Sequence, residues 1–176
     1  TNYLNMSGGQ WTINNAGTTF TGLSLGFNTQ GGLGVMNMSG GTVTLASKDV
    51  SNAGLIVGKI GNGKLNMTDG TIDTAGVTAF IGKHNWQGAY GQVDLDGGTI
   101  LTGNLYAGEN GIAAETYFNI TDGTLIIEGD FRSAISDYVL GTQYTGSNGT
   151  TLPGDDPNLN GNAAWMSGYG VHAIED

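Results

Sequence analysis

The sequence predicts an all-β protein, a right-handed parallel β-helix of about five coils with three short strands in each coil. Three observations predict it: a ten-residue segment recurs along the chain, each copy alternates apolar and polar residues, and 33 of the 176 residues are glycine. The copies read LNMSGGQWTI, MNMSGGTVTL, LNMTDGTIDT, VDLDGGTILT and FNITDGTLII, and they begin at Leu4, Met36, Leu65, Val93 and Phe118.

The spacing of the copies indicates a solenoid. The steps between copies are 32, 29, 28 and 25 residues when the copies are aligned on Asn5, Asn37, Asn66, Asp94 and Asn119. Self-similarity at a period of about 20 to 50 residues is typical of solenoids, in which each unit stacks on its neighbours. A unit of this length cannot bury its apolar residues alone, so the repeat is predicted to be scaffold.

A second apolar segment follows the first four copies. It reads GLSLG, GLIVG, TAFIG and NLYAG, starting at Gly22, Gly54, Thr78 and Asn104. It also alternates with period two, and glycine, asparagine or aspartate lies between the segments as turn residues. The two halves of a copy and this segment are the three predicted strands of a coil.

Stacking of the coils about 4.8 Å apart would place equivalent residues above one another. Three columns are predicted to point into the core: Leu4, Met36, Leu65, Val93 and Phe118; Met6, Met38, Met67, Leu95 and Ile120; and Trp11, Val43, Ile72, Ile100 and Leu125. All members are apolar, so the register is self-consistent. The column that starts at Asn5 lies between two inward columns and is predicted to point outward.

Composition excludes several classes of function. A net charge of -10 with only 5 Lys and Arg does not suit a nucleic-acid groove, since phosphates are bound by basic residues. The chain has 0 cysteines, which excludes thiol catalysis and cysteine-held metal sites. No apolar run approaches the roughly 18 residues of a membrane span, so no membrane partner is expected.

The two ends of the chain are expected to differ. Residues 1–127 are predicted to form the coils, and residues 128–176 a C-terminal cap of the same domain, made of a short helix and an irregular tail. Asp130 is a suitable N-cap for that helix. The apolar residues at helical spacing after it are Phe131, Ile135, Tyr138 and Val139. The first coil shows no cap, so a neighbouring domain is expected to cover it.

Units such as MNMSGGTVTL interleaved with LIVGKIGNG resemble the repetitive right-handed β-helix domains of the pectin-lyase-like class. Such domains occur in autotransporter-type surface proteins and as carbohydrate-binding modules of bacterial polysaccharide-degrading enzymes. The endings IEGDFRSAISDYV and AWMSGYG resemble the capped close of these domains. The resemblance covers roughly residues 1 to 140 and implies the fold, but the fold hosts lyases, hydrolases, adhesins and binding modules alike.

An aromatic edge is the candidate binding site. The middle position of the second segment changes from Ser24 through Ile56 to Phe80 and Tyr106, and the loop GKHNWQGAYGQ adds further rings beside this column. Exposed rings stack on the C–H faces of sugars, and amides and carboxylates bind hydroxyls. The predicted ligand-binding residues are Phe80, Lys83, His84, Trp86, Tyr90, Tyr106, Glu109 and Asn110. Alternatively, the rings cover their own loop.

Two further groups of residues could carry chemistry. Asp94 and Asp96 share a strand and could serve a hydrolase, although aspartate is also common at turns. Asp156, Asn158 and Asn160 have the spacing of the first half of a calcium loop, but Ser167 stands where the closing glutamate would be. No cofactor is expected to be required. The segment from Asp156 to Asn160 is a candidate site for structural calcium, but an ordinary exposed loop would have the same composition.

The leading hypothesis is a non-catalytic carbohydrate-binding module of a secreted bacterial glycan-degrading enzyme, located outside the cell or at its surface. The acidic chain favours an extended neutral polysaccharide over uronates, and the resemblance to xylan-binding β-helical modules favours xylan. One alternative is a structural or adhesive segment of a cell-surface protein. The other is a polysaccharide lyase or hydrolase.

Replacing Trp86 by Ala tests the aromatic edge. If Trp86 stacks on sugar, retention of the protein in xylan gels is expected to weaken by about 1 to 3 kcal/mol, by analogy with base stacking. The melting temperature is expected to stay nearly unchanged, because an exposed ring contributes little to the core. Full retention together with a lower melting temperature would instead assign Trp86 to loop packing.

Overall fold

Parallel strands make up the regular structure in the computed structural model, which describes residues 1–15, 22–27, 31–47, 53–82, 90–107, 115–128, 131–133 and 171–173. The strands are β1 (Asn2–Asn15), β2 (Leu23–Leu25), β3 (Leu33–Ser47), β4 (Ala53–Val57), β5 (Asn62–Asp73), β6 (Thr78–Ile81), β7 (Tyr90–Leu95), β8 (Thr99–Thr102), β9 (Leu105–Ala107), β10 (Glu115–Ile120), β11 (Thr124–Ile127), β12 (Phe131–Ser133) and β13 (Val171–Ala173).

Two parallel sheets run along the molecule. Sheet A has 8 strands, of which β1, β3 and β5 pair in that order. The long strand β5 then pairs with two shorter strands, β7 along its first half and β8 along its second half. Strand β7 pairs with β10, whereas β8 pairs with β11, which pairs with β13. Sheet B has 5 strands in the order β2, β4, β6, β9 and β12. Together they form a β-solenoid of about 3 turns, which confirms the predicted fold class.

The predicted coil count and strand count need correction. The solenoid has about 3 turns instead of five, although the strands of all the copies are stacked. In the first three copies both halves belong to one long strand of 14, 15 or 12 residues, because a bulge after Met6 and Met38 keeps the chain in the ladder. Only the later copies are divided into separate strands, since residues 96–98 leave the ladder between β7 and β8.

The predicted register is confirmed along the whole stack. Leu4 pairs with Met36, Met36 with Leu65, Leu65 with Val93, and Val93 with Phe118. The side chains of the middle three are 0% exposed. Burial of an apolar side chain of this size stabilises a fold by about 1.5 to 3 kcal/mol, so these columns are the main source of stability.

The first coil is less covered than the others. Trp11 lies in register with the buried Val43, as predicted, yet its side chain is 38% exposed. Leu4 and Met6 are only partly buried against the core. Among the described residues, β1 pairs with β3 alone, so one side of each of its inward side chains is open.

The predicted C-terminal helix does not begin after Asp130. Phe131–Ser133 is strand β12, which pairs with β9 and extends sheet B. Phe131 pairs with Leu105 in the backbone ladder, and this strand register prevails over the helical spacing of the apolar residues. The described residues contain no helix, and therefore none long and apolar enough to cross a membrane. Most of the predicted cap lies outside them.

Glycine lets successive coils approach at the corner that follows sheet B. Gly58 has a φ of 77°, in the left-handed region that favours glycine. Its N–H donates to the Leu25 carbonyl at 2.8 Å. A Cβ at Gly58 would lie 2.2 Å from the Tyr90 carbonyl oxygen of the next coil. No residue larger than glycine therefore fits at this corner without a shift of the backbone.

Alanine substitutions at two glycines separate backbone strain from this clash. Gly31 has a φ of 74° but no atom within 4 Å of an added Cβ, so Gly31→Ala is expected to cost about 1 to 2 kcal/mol of unfolding free energy. Gly58→Ala adds a backbone clash and is expected to cost about 3 kcal/mol or more. Urea unfolding of both variants measures the difference, and equal costs would contradict close coil packing at Gly58.

Candidate binding surface

The aromatic column of sheet B faces outward but is not open to solvent. Phe80 lies in register between Ile56 and Tyr106, as predicted. Ile56 and Phe80 are only 4% and 7% exposed, so this face of the sheet is covered. The rings of Phe80 and Tyr106 meet edge to face, with centroids 5.2 Å apart at 84°. Phe80 therefore packs against Tyr106, with little of its ring open to solvent.

The two predicted tyrosines lie on different sheets. Tyr106 belongs to sheet B, whereas Tyr90 starts β7 in sheet A, where its N–H donates to Asn62 Oδ1 at 3.1 Å. Both side chains are half-buried. The remaining predicted site residues lie outside the described residues: Lys83, His84, Trp86, Glu109 and Asn110, and the calcium candidates Asp156, Asn158 and Asn160.

A ladder of asparagine side chains runs along the outside of sheet A. Asn37 Nδ2 donates to Asn5 Oδ1 at 2.8 Å, and Asn66 Nδ2 donates to Asn37 Oδ1 at 2.7 Å. The residues on either side of Asn37, Met36 and Met38, are buried, which confirms that the asparagines point outward. An amide carries two N–H donors and two acceptor sites, so each rung keeps capacity for further hydrogen bonds.

At the fourth position of the ladder the asparagine is replaced by aspartate, Asp94. Asp94 lies in register with Asn66, but a carboxylate has no N–H to donate to it. Instead, Asp94 Oδ2 accepts a hydrogen bond from Gln92 Nε2 at 2.7 Å and forms an ion pair with Lys64 Nζ at 3.0 Å. The Lys64 and Asp94 side chains are 31% and 21% exposed, so this pair lies at the surface.

A second outward column adjoins the ladder. It passes from Tyr3 through Val35 and Lys64 to Gln92. Tyr3 is 68% exposed, the largest exposure of any large apolar side chain in the described residues. We call the two columns together the amide face. Its members are Asn5, Asn37, Asn66, Asp94, Tyr3, Val35, Lys64 and Gln92.

A cavity opens at the end of the first coil. It has a volume of about 410 Å³ and is lined by the start of β1, by β2 and by the start of β3. Phe27 borders it with 37% of its surface exposed, and Lys59 Nζ lies 4.0 Å from the centroid of that ring. The hydroxyl of Ser24 is buried and has no hydrogen-bond partner among the described residues. This end of the solenoid is mainly apolar.

The remaining described carboxylates serve the backbone or face solvent. Asp69 Oδ1 accepts from the Gly70 N–H and Asp73 Oδ1 from the Ala75 N–H, both at 2.7 Å, which are local turn contacts. Asp96 and Asp122 are exposed. Within the described residues, no group of three or more histidines and carboxylates could hold a metal ion.

The comparisons with known proteins identify no relative. No protein-family model matches the chain, and no curated protein and no solved structure matches it. The geometry of this chain alone therefore has to support any assignment of function.

Sequence reasoning missed four members of the amide face, which are Tyr3, Val35, Lys64 and Gln92. Each lies two residues before a position of the asparagine column, so strand alternation places them on the same side. That signal was available in the sequence. The diagonal contact of Lys64 with Asp94 was not, because it depends on which rotamers the neighbouring coils leave open.

Replacing Asn37 by Ala tests the ladder. The change removes a donor to Asn5 and an acceptor for Asn66, so it is expected to lower the unfolding free energy by about 1 to 3 kcal/mol. Asn14, exposed on β1 and outside the ladder, provides the control: Asn14→Ala is expected to change it by about 0.5 kcal/mol or less. Urea unfolding compares the two, and equal effects would contradict a stabilising ladder.

Proposed function

We propose that the chain is a non-catalytic carbohydrate-binding module of a secreted bacterial glycan-degrading enzyme. Its ligand is an extended neutral polysaccharide such as xylan. The module acts outside the cell or at the cell surface. The aromatic edge around Trp86 remains part of this proposal, as a second contact that its own substitution tests.

The observation that carries the proposal is the composition of the amide face. An exposed ring, a row of side-chain amides and a carboxylate occupy one sheet surface in register over four successive strands of sheet A, β1, β3, β5 and β7. A ring of this kind stacks on the apolar face of a sugar, while amides and carboxylates bind its hydroxyls. A row that repeats every coil suits a ligand that repeats along its length.

The rigidity of the surface supports binding. The ladder holds Asn37 and Asn66 in one orientation through bonds of 2.8 and 2.7 Å before any ligand arrives. A preorganised surface loses less side-chain entropy on binding than a mobile one, which raises affinity for a given set of contacts. The net charge of -10 favours a neutral ligand over a polyanion.

A structural or adhesive role is the second candidate, and the first coil favours it. Trp11 is 38% exposed on the inward side of β1, and the cavity of about 410 Å³ opens at the start of the same strand, away from Trp11. Exposed apolar side chains next to an unpaired strand edge suit a neighbouring coil or domain. A contact through Trp11 is compatible with glycan binding, because Trp11 lies on the inward side of β1 and the amide face on its outward side.

A lyase or hydrolase is the least supported of the three proposals. The carboxylate of Asp94 accepts from Lys64 and Gln92, and Asp96 is exposed. An activity screen over neutral and acidic polysaccharides tests this alternative, and turnover that is lost in Asp96→Asn would favour it.

Substitution of Tyr3 tests glycan binding by the amide face. Tyr3→Ala is expected to weaken retention in xylan gels by about 1 to 3 kcal/mol, by analogy with base stacking on aromatic side chains. Tyr3→Phe keeps the ring and is expected to retain binding. The melting temperature should change little in either variant, because Tyr3 is 68% exposed.

Trp11→Ala is the matched control for this experiment. It removes a ring from the same strand but from the side that faces the core, so glycan retention is expected to persist. Absence of retention of the unaltered chain on every neutral glycan tested would overturn the proposal. Equal losses in Tyr3→Ala and Trp11→Ala would assign the effect to β1 as a whole.

A further inference from the structure

The amide ladder is interrupted between Asn66 and Asp94. Every lower rung receives a hydrogen bond from the rung above it, since Asn37 donates to Asn5 and Asn66 donates to Asn37. Asn66 Oδ1 should receive the next one. Within the described part of the chain it receives none, because the residue in register above it is a carboxylate.

The interruption places two acceptor groups next to each other on neighbouring strands, about 4.8 Å apart along the stack. An amide oxygen and a carboxylate cannot satisfy each other, and both are satisfied by a donor. The side chains are partly exposed, so a donor can reach them from solvent. A hydroxyl of a ligand is such a donor.

The carboxylate in this pair is held in place. Lys64 and Gln92 both bind Asp94 Oδ2, from the coil below and from the same strand, at 3.0 and 2.7 Å. These contacts orient the side chain along the surface and engage the lysine. Lys64, which would otherwise attract an anion to the amide face, is therefore paired with a fixed negative charge.

We propose that the step between Asn66 and Asp94 is the specificity-determining subsite of the amide face, and that it selects neutral polysaccharides against those that carry carboxylates. The inference rests on the proposed glycan-binding function. A ligand hydroxyl donates to Asn66 Oδ1, and the Asp94 carboxylate repels uronate groups while it keeps Lys64 engaged.

Asp94→Asn is the variant that tests the subsite. Asparagine stands at the same position in four sister copies, so the coil tolerates it. Its new N–H can donate to Asn66 Oδ1 and close the gap, and it no longer neutralises Lys64. Retention on xylan and mannan is expected to fall by up to about tenfold, the effect of losing the hydrogen bond between a ligand hydroxyl and Asn66 Oδ1, and retention on polygalacturonate is expected to rise.

Asp96→Asn is the matched control, because it makes the same change of charge on an exposed side chain two residues away. Affinity electrophoresis of the three proteins in gels of each polysaccharide gives the ratio of each variant's retention to that of the unaltered chain. Thermal unfolding shows that the variants are folded. Asp96→Asn is expected to behave like the unaltered chain.

The outcomes separate the two proposals. If the unaltered chain binds neutral glycans and Asp94→Asn changes retention neither on neutral glycans nor on polygalacturonate, the subsite is overturned while the proposed function stands. Equal shifts in Asp94→Asn and Asp96→Asn would overturn it as well, since net charge would then explain them. If the unaltered chain binds no neutral glycan, the proposed function fails and the subsite fails with it.

Discussion

In-register hydrogen bonding between parallel strands is the constraint on which the rest of this structure depends. Each strand of sheet A bonds to the equivalent strand one coil away, so every residue lies against its own counterpart. The core, the corners and the surface are all stacks of equivalent positions. A side chain at any one of them must therefore be compatible with a neighbour about 4.8 Å away that occupies the same environment.

This constraint explains which residues the surface uses. A primary amide is complementary to itself, because it donates to the rung below and accepts from the rung above. A charged group is not, since like charges placed opposite each other destabilise a sheet. Charged residues accordingly make up only 11% of the chain, and Lys64 lies between the uncharged Val35 and Gln92.

The features that follow from strand alternation could be predicted from the sequence. The columns through Met36, Met38 and Val43 were correct in register, and from the second copy onward the described side chains are also buried, because an inward position tolerates only apolar residues. The extent of single strands was not predictable, since alternation does not show whether a glycine pair such as that after Ser39 bends the chain or merely bulges it. Phe131 was assigned to a helix because a segment this short satisfies both periodicities.

The candidate site was less predictable than the fold. Alternation placed Phe80 on the outside of sheet B, but it does not show whether another part of the molecule covers that side, and only 7% of Phe80 is exposed. For the amide face, strand alternation was sufficient to place the residues on one side of the sheet, but it did not show which of their side chains contact one another. Which of two neighbouring polar groups Lys64 reaches depends on side-chain geometry between coils, a property that a one-dimensional pattern does not contain.

The strand pairing also determines how the molecule would respond to mechanical force. The hydrogen bonds between coils run along the stack, and β1 is joined to the rest of sheet A through β3 alone in the described residues. Tension applied at Asn2 along the stack would load these bonds one pair at a time and peel β1 away in sequence. Tension along the direction of the strand would load all of the pairs from Asn2 to Asn15 together. The fold is therefore mechanically anisotropic, weak to peeling from its first coil and strong to shear across it.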